Sequence, residues 1–254
     1  MVFFTQRARP ALCAPEQTVK SELTPIDLGW AAELNELEWL EFLAGVRKIQ
    51  GHVPPKLPSF QVQRMFVRSD GMTAFQEAAL FLRRVKEILC AAGSLPSGSF
   101  FQVSAAPPYS FETGKFDLIL LYSVFSHLSE DLFRSMIVEF SRLLKPGGAL
   151  AFTTLKAAHL NVWAGQVDQP YWQDHLKRAN FDRDRWRQRM ETGEFLFVPT
   201  GGGDPSRPAE LYGEAIVTDA FLKRALKETQ FEIAHFSDPS DVPQSIAVLL
   251  KKRH

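Results

Sequence analysis

The chain has 254 residues, 45% of them hydrophobic, and its 29 Lys and Arg balance its 29 Asp and Glu. That length suits one large domain or a domain with an extension. A neutral chain has neither the basic excess of a nucleic-acid binder nor the acidic excess of a solvated tail, which leaves small neutral or apolar ligands and protein partners.

The two cysteines, Cys13 and Cys90, stand in no metal-ligand spacing and read as reduced thiols of an intracellular protein, so no metal is expected. Arg7 and Arg9 interrupt the N-terminus before an apolar run of signal-peptide length can form. No segment approaches the roughly 18 uninterrupted apolar residues of a membrane span. The expectation is a soluble, cytoplasmic protein with no membrane or nucleic-acid partner.

Residues 1–28 are aperiodic and read as a loose arm. From Trp30 the apolar positions 30, 34, 37, 40, 43 and 46 recur every three or four residues, an amphipathic helix over 30–49 that Gly51 and the PPKLP run end. Residues 61–68, QVQRMFVR, are a candidate strand. Thr73 with Gln76 forms a capping box for a helix whose face is Phe75, Ala78, Leu82, Val85 and Leu89, stopped by Gly93.

Strand and helix signals then alternate, the α/β pattern. Strands are expected at 99–103, 116–123, 149–155, 194–199, 231–237 and 245–252. Between the second and third lies a helix over 130–144 with Leu132, Met136, Phe140 and Leu143 inward, broken by Lys145-Pro146-Gly147-Gly148. Strand, helix, turn and strand make a right-handed parallel crossover. A mostly helical, charged stretch over 171–192 carries Trp172, Phe181 and Trp186 and reads as part of a lid-like insertion spanning 171–215. Gly201-Gly202-Gly203 leads into no helix N-terminus, so it reads as a loop and not a phosphate cradle.

The run FDLILLYSVFSHLSED, fifteen or so helical residues, and then LLKPGGALAFTT resembles the second half of class I S-adenosylmethionine-dependent methyltransferases, the small-molecule branch in particular. The resemblance implies an α/β, Rossmann-like methyltransferase sheet over 72–254, preceded by an arm and helical extension over 1–71. It also implies a C-terminal antiparallel strand pair, FEIAHFS with SIAVLLKK. In open α/β sheets ligands sit beyond the carboxyl ends of the strands. By resemblance, Tyr122 and Ser123 match the positions whose backbone approaches the methionine part of the cofactor, and Ser104 matches an adenine-side position. His127 matches the family's histidine near the methyl acceptor, where an imidazole can take a proton. The plain alternative for His127 is a helix cap or the filling of a polar gap, and for Tyr122 and Ser123 a place at the core edge. Glu210, Tyr212 and Glu214 either line a substrate pocket or open an exposed helix.

The sheet that the resemblance implies is incomplete. Upstream of Phe116 the glycines are 29, 45, 51, 71, 93, 98 and 114, and no two have the G-x-G spacing that lets a backbone approach the cofactor. Only 22 residues separate Gly93 from Phe116, whereas one βαβ unit takes about 30. The family's first strand lies beside its fourth, so FDLILLYS lacks that neighbour, and a long apolar edge templates pairing. The expected cover is SFFQV, QVQRMFVR or a second copy of the chain in a homodimer. Two functions stay open: a methyltransferase homologue using S-adenosylmethionine on a small-molecule acceptor, or a catalytically inactive structural or interaction module, including a shortened gene product. A nicotinamide-dependent dehydrogenase fails on the same missing glycines. A nucleic-acid methyltransferase would need a basic face and an aromatic turn for a flipped base.

Overall fold

A computed structural model describes residues 2–5, 38, 71–89, 98–99, 104, 106–202, 205, 207–239 and 244–253. The predicted 61–68 strand, Cys13, Cys90, Gly203 and residues 100–103 lie outside the described residues, as does the 30–49 helix apart from the helical Glu38.

The first half of the described chain supplies β1 (Val2–Thr5), α1 (Gly71–Ile88), β2 (Gly98–Ser99), β3 (Phe116–Leu121), α2 (Glu130–Leu143) and β4 (Leu144–Thr154). Next come α3 (His159–Ala164), α4 (Pro170–Arg178), α5 (Arg183–Glu191), β5 (Leu196–Val198) and β6 (Glu214–Ile216). The chain closes with α6 (Asp219–Ala225), β7 (Phe231–Phe236) and β8 (Ser245–Lys251). Among the described residues the main sheet has six strands in the order β2-β1-β3-β4-β8-β7. β3 and β4 are parallel, joined through α2, while β4–β8 and β7–β8 are antiparallel. This is the α/β sheet with a C-terminal antiparallel pair that the sequence led us to expect.

The alternation of β3 sets its two faces. Ile119 and Leu121 pack with Leu132, Phe133, Met136 and Phe140 of α2. Leu118 and Leu120 pack with Phe81 and Val85 of α1. Helix α2 ends at Leu143, one residue before its expected end, with all four expected inward residues buried. Helix α1 starts at Gly71, so Thr73 lies within its first turn and not at the cap position. The elements from α3 to β6 share a separate core, in which the Trp163 and Trp186 rings meet edge-on at 5.7 Å. Asn180, at φ 50, turns the chain between α4 and α5, and the Asp182 carboxylate caps α5 by accepting from the Arg185 amide at 2.8 Å.

Three expectations need correction. Residues 145–148 are not a free turn: β4 already includes them, as a bulge in which Leu144 faces Phe116 but Ala149 faces Leu118. Gly147 takes φ +78 there, and a Cβ on Gly148 would lie 2.9 Å from the Lys145 oxygen and 3.0 Å from the Asp117 oxygen, so the bulge needs both glycines. The edge of β3 is covered from within the chain, but by none of the expected segments. Val2–Thr5, read from composition as part of a loose arm, pairs antiparallel with it in the register Val2↔Leu121, Phe3↔Leu120, Phe4↔Ile119 and Thr5↔Leu118. Finally, Glu214 opens the buried strand β6 and not an exposed helix.

Candidate functional site at the carboxyl end of β3

β3 runs out at Leu121 because Ser123 turns left-handed, at φ 54, a conformation a non-glycine residue adopts only when its surroundings hold it there. Three contacts do so. The Ser123 amide donates to Thr153 Oγ1 on β4 at 2.8 Å, and its Oγ accepts from Gln244 Nε2 at 3.0 Å. The same Oγ lies 3.3 Å from His127 Nε2. The turn then buries Phe125 against Phe133 and Phe152, with ring centroids at 4.4 and 4.8 Å, which anchors the loop from below.

His127 is 2% exposed. Its Nδ1 lies 3.0 Å from the Gly213 carbonyl oxygen and 3.5 Å from Glu214 Oε1, and the ring stacks on Tyr212 at 5.4 Å and 10°. A carbonyl oxygen only accepts, so Nδ1 carries the proton, and in the neutral ring Nε2 is left as an acceptor toward Ser123. The backbone repeats the attachment: the Gly213 amide donates to the His127 oxygen at 2.9 Å and the Ala215 amide to the Ser126 oxygen at 2.8 Å. Strand β6 thus closes over the post-β3 turn and also meets the end of β4 through the Leu155↔Ile216 bridge. Gly213 is obligatory, since a Cβ there would lie 2.1 Å from the Val198 oxygen.

Tyr122 points to the other side of the sheet. Its ring packs on Phe81 at 5.6 Å and its hydroxyl donates to Glu77 Oε2 at 2.9 Å. Burial, with the Glu77 carboxylate beside it, pushes the phenol far above its ordinary value. Ser104 is exposed and its hydroxyl donates to the Ala106 oxygen at 2.6 Å within its own loop. The structure therefore joins Ser123 and His127 and leaves the side chains of Tyr122 and Ser104 directed elsewhere.

Sequence reasoning missed Gln244, Thr153 and Glu214 as neighbours of the turn. Thr153 was legible only as a strand residue and Gln244 only as the residue before the expected 245–252 strand, because their place beside Ser123 comes from sheet register. Around them, Thr154 Oγ1, Ser245 Oγ, Ser126 Oγ and Gln244 Oε1 are buried without a hydrogen-bond partner among the described residues. Thr154 and Ser245 face one another across β4 and β8, so these orphaned groups gather at the carboxyl end of the parallel pair.

Beyond the end of β4 a cavity of about 420 Å³ opens between α3, α5 and α6, lined by Leu160, Asn161, Met190, Thr218 and Asp219 among others. Lys156 stands beside it, 3.0 Å from Asp219 and 3.1 Å from Asp238. Burial works against the Lys156 charge, yet the two carboxylates prevail and raise its pKa. Among the described residues no group of His, Cys, Asp and Glu has the arrangement of a metal site, and no helix is long and apolar enough to cross a membrane.

The S-adenosylmethionine expected from the resemblance finds unpaired polar groups, among the described residues, at one end only, the Ser126, Thr154 and Ser245 hydroxyls gathered at the carboxyl end of β3 and β4. The Ser123 amide, which would meet its methionine part, already donates to Thr153. The place beside β3 belongs to the antiparallel strand Val2–Thr5, and the sequence upstream of Phe116 has no G-x-G pair.

Residues 72–152 match the sequence family described as methyltransferase domain. No curated protein matches the chain. Among solved structures, a SAM-dependent methyltransferase from Methanosarcina mazei is 16% identical, with a TM-score of 0.37, covering 67% of this chain and 77% of that one. The match covers residues 72–152, about a third of the chain, and agrees there with the methyltransferase resemblance of the sequence.

Proposed function

We propose that this methyltransferase-domain protein is a small-molecule-type homologue whose acceptor half is built and whose cofactor half is reduced, so that it binds S-adenosylmethionine weakly. The observation that carries the reading is the order β3-β4-β8-β7, with a parallel crossover through α2 and an antiparallel finish, around the family-matched segment. In this reading the carboxyl ends of β3 and β4 are the ligand end, as in open α/β sheets generally. The cavity beyond β4, with apolar Leu160 and Met190 and polar Asn161 and Thr218, has the mixed lining of a small-molecule pocket and is assigned to the acceptor.

The roles of the chain's own residues follow from their contacts. Ser123 and His127 form the polar end of the turn, with His127 Nε2 the basic atom. Tyr122 is a packing residue that ties β3 to α1, and Ser104 holds its own loop. No methyl-transfer step is derived, because the residues present fit only one end of the cofactor. Calorimetric titration of the full chain with S-adenosylhomocysteine tests the reading: a dissociation constant in the millimolar range is expected, and micromolar affinity overturns the reduced cofactor half.

A second reading, a non-catalytic module derived from the family, has its own supporting observation. His127 is closed in by Gly213, Glu214 and Tyr212, and β1 fills the place beside β3. Absence of any heat at millimolar ligand would favour it. The homodimer expected through the β3 edge is not needed in either reading, since β1 supplies the edge pairing.

A further inference from the structure

The turn after β3 sets a serine hydroxyl beside an imidazole and a carboxylate, an arrangement that does not depend on cofactor binding. Four observations converge on its hydroxyl. Ser123 sits in a left-handed conformation between a strand and a helix, the kind of backbone position that lifts a nucleophile clear of its sheet. Its Oγ accepts from Gln244 Nε2, so its own proton is directed to the remaining neighbour, His127 Nε2 at 3.3 Å. The imidazole is fixed in the tautomer that leaves Nε2 basic, because Nδ1 donates to the Gly213 oxygen at 3.0 Å. A buried carboxylate, Glu214, stands 3.5 Å from Nδ1, where it offsets the positive charge the ring acquires on taking a proton. Hydroxyl, imidazole and carboxylate in this order are recognised by geometry and role, not by chain order.

We propose that Ser123 is an activated nucleophile toward small acyl esters, with His127 as its base and Glu214 as a positioning residue. Ser123 Oγ bonds the acyl carbon while its proton passes to His127 Nε2. The ring returns that proton to the departing alcohol as the ester C–O bond breaks. Water then attacks the acyl-serine with His127 again as base, releasing the carboxylic acid and restoring the hydroxyl, so no redox partner is required. Gln244 Nε2, 3.0 Å from Oγ, is a side-chain N–H donor at hand for the oxygen that becomes negative.

The test is covalent labelling of the full chain with phenylmethanesulfonyl fluoride, peptide mapping by mass spectrometry, and hydrolysis of p-nitrophenyl acetate. A single adduct on Ser123 is expected, absent in Ser123→Ala and absent when the wild-type chain is unfolded in urea. His127→Gln is expected to slow labelling by about a hundredfold, the usual scale for losing a positioned base. Glu214→Gln should lower kcat for the acetate with KM unchanged, a split that simple loosening of the turn does not give. Because His127→Gln removes bonds to Gly213, the urea control and Ser123→Ala decide the matter if that variant fails to fold. No adduct on Ser123 in the folded chain, or an adduct that forms equally in urea, overturns the proposal.

Discussion

Replacing Gly213 by alanine is the sharpest perturbation of the closure over the post-β3 turn. The new Cβ would lie 2.1 Å from the Val198 oxygen and 2.9 Å from the Phe197 ring, so β6 must retreat from β5. Retreat stretches two bonds, from the Gly213 amide to the His127 oxygen at 2.9 Å and from His127 Nδ1 to the Gly213 oxygen at 3.0 Å. Each bond contributes about 0.5–1.5 kcal/mol and the overpacking costs about 1–3 kcal/mol, so a loss of about 2–4 kcal/mol is expected once partial relaxation is allowed. Urea unfolding followed by circular dichroism measures it. Gly165→Ala is the control: its Cβ would meet only the Asn161 and Val162 oxygens, both at 3.6 Å, so its change stays within about 0.5 kcal/mol. A Gly213→Ala change as small as the control's would refute the claim that β6 is locked onto the turn.

Other contacts give further expectations. The Glu139 carboxylate is bonded by Arg142 and the Tyr109 amide, and chiefly the guanidinium holds its pKa below the usual carboxylate value. A lowered folded value means the native state binds fewer protons. Its stabilising contribution is therefore full above the unfolded carboxyl value and is lost as pH falls through the folded one. Glu139→Gln should flatten the acid limb of a stability-versus-pH curve below about pH 4.5. Lys251 is buried, donates to the Ser141 and Leu144 oxygens at 2.7 and 2.8 Å, and has its pKa lowered by burial. The unfolded state then holds more protons, so this group makes stability rise with pH through the alkaline window below the ordinary lysine value. Lys251→Met should abolish that rise and, by stranding two carbonyls, cost about 1–3 kcal/mol in urea unfolding. The double variant Phe3→Pro with Phe4→Pro breaks the pairing of β1 on β3. Hydrogen exchange should then accelerate in residues 118–121, and light scattering should show self-association.

Much of the fold was legible because period and punctuation agreed. The apolar run of β3, the 3.6-residue pattern of α2 and the final strand pair all fell within a few residues of their expected places. What failed was non-local. Nothing in VFFT marks it as the strand beside FDLILL, because pairing partners far apart in sequence are chosen by tertiary register and not by local pattern. Glu214 reads as polar and exposed in the sequence, yet β6 buries it beside His127 through backbone bonds to the 126–128 turn. The site shows the same division. Ser123 and His127 were within reach of motif reading, four residues apart on one turn. Gln244 and Thr153 reach Ser123 only because β8 and β4 lie where they do.

In the proposed function the ligand end survives at the carboxyl ends of β3 and β4 while the cofactor half is reduced. Hydrogen exchange of the full chain with increasing S-adenosylhomocysteine tests it most directly. The expected result is slowed exchange confined to the 121–128 turn and the 213–217 segment, appearing only at millimolar ligand. Protection saturating at micromolar ligand, or protection that never includes those two segments, would contradict it.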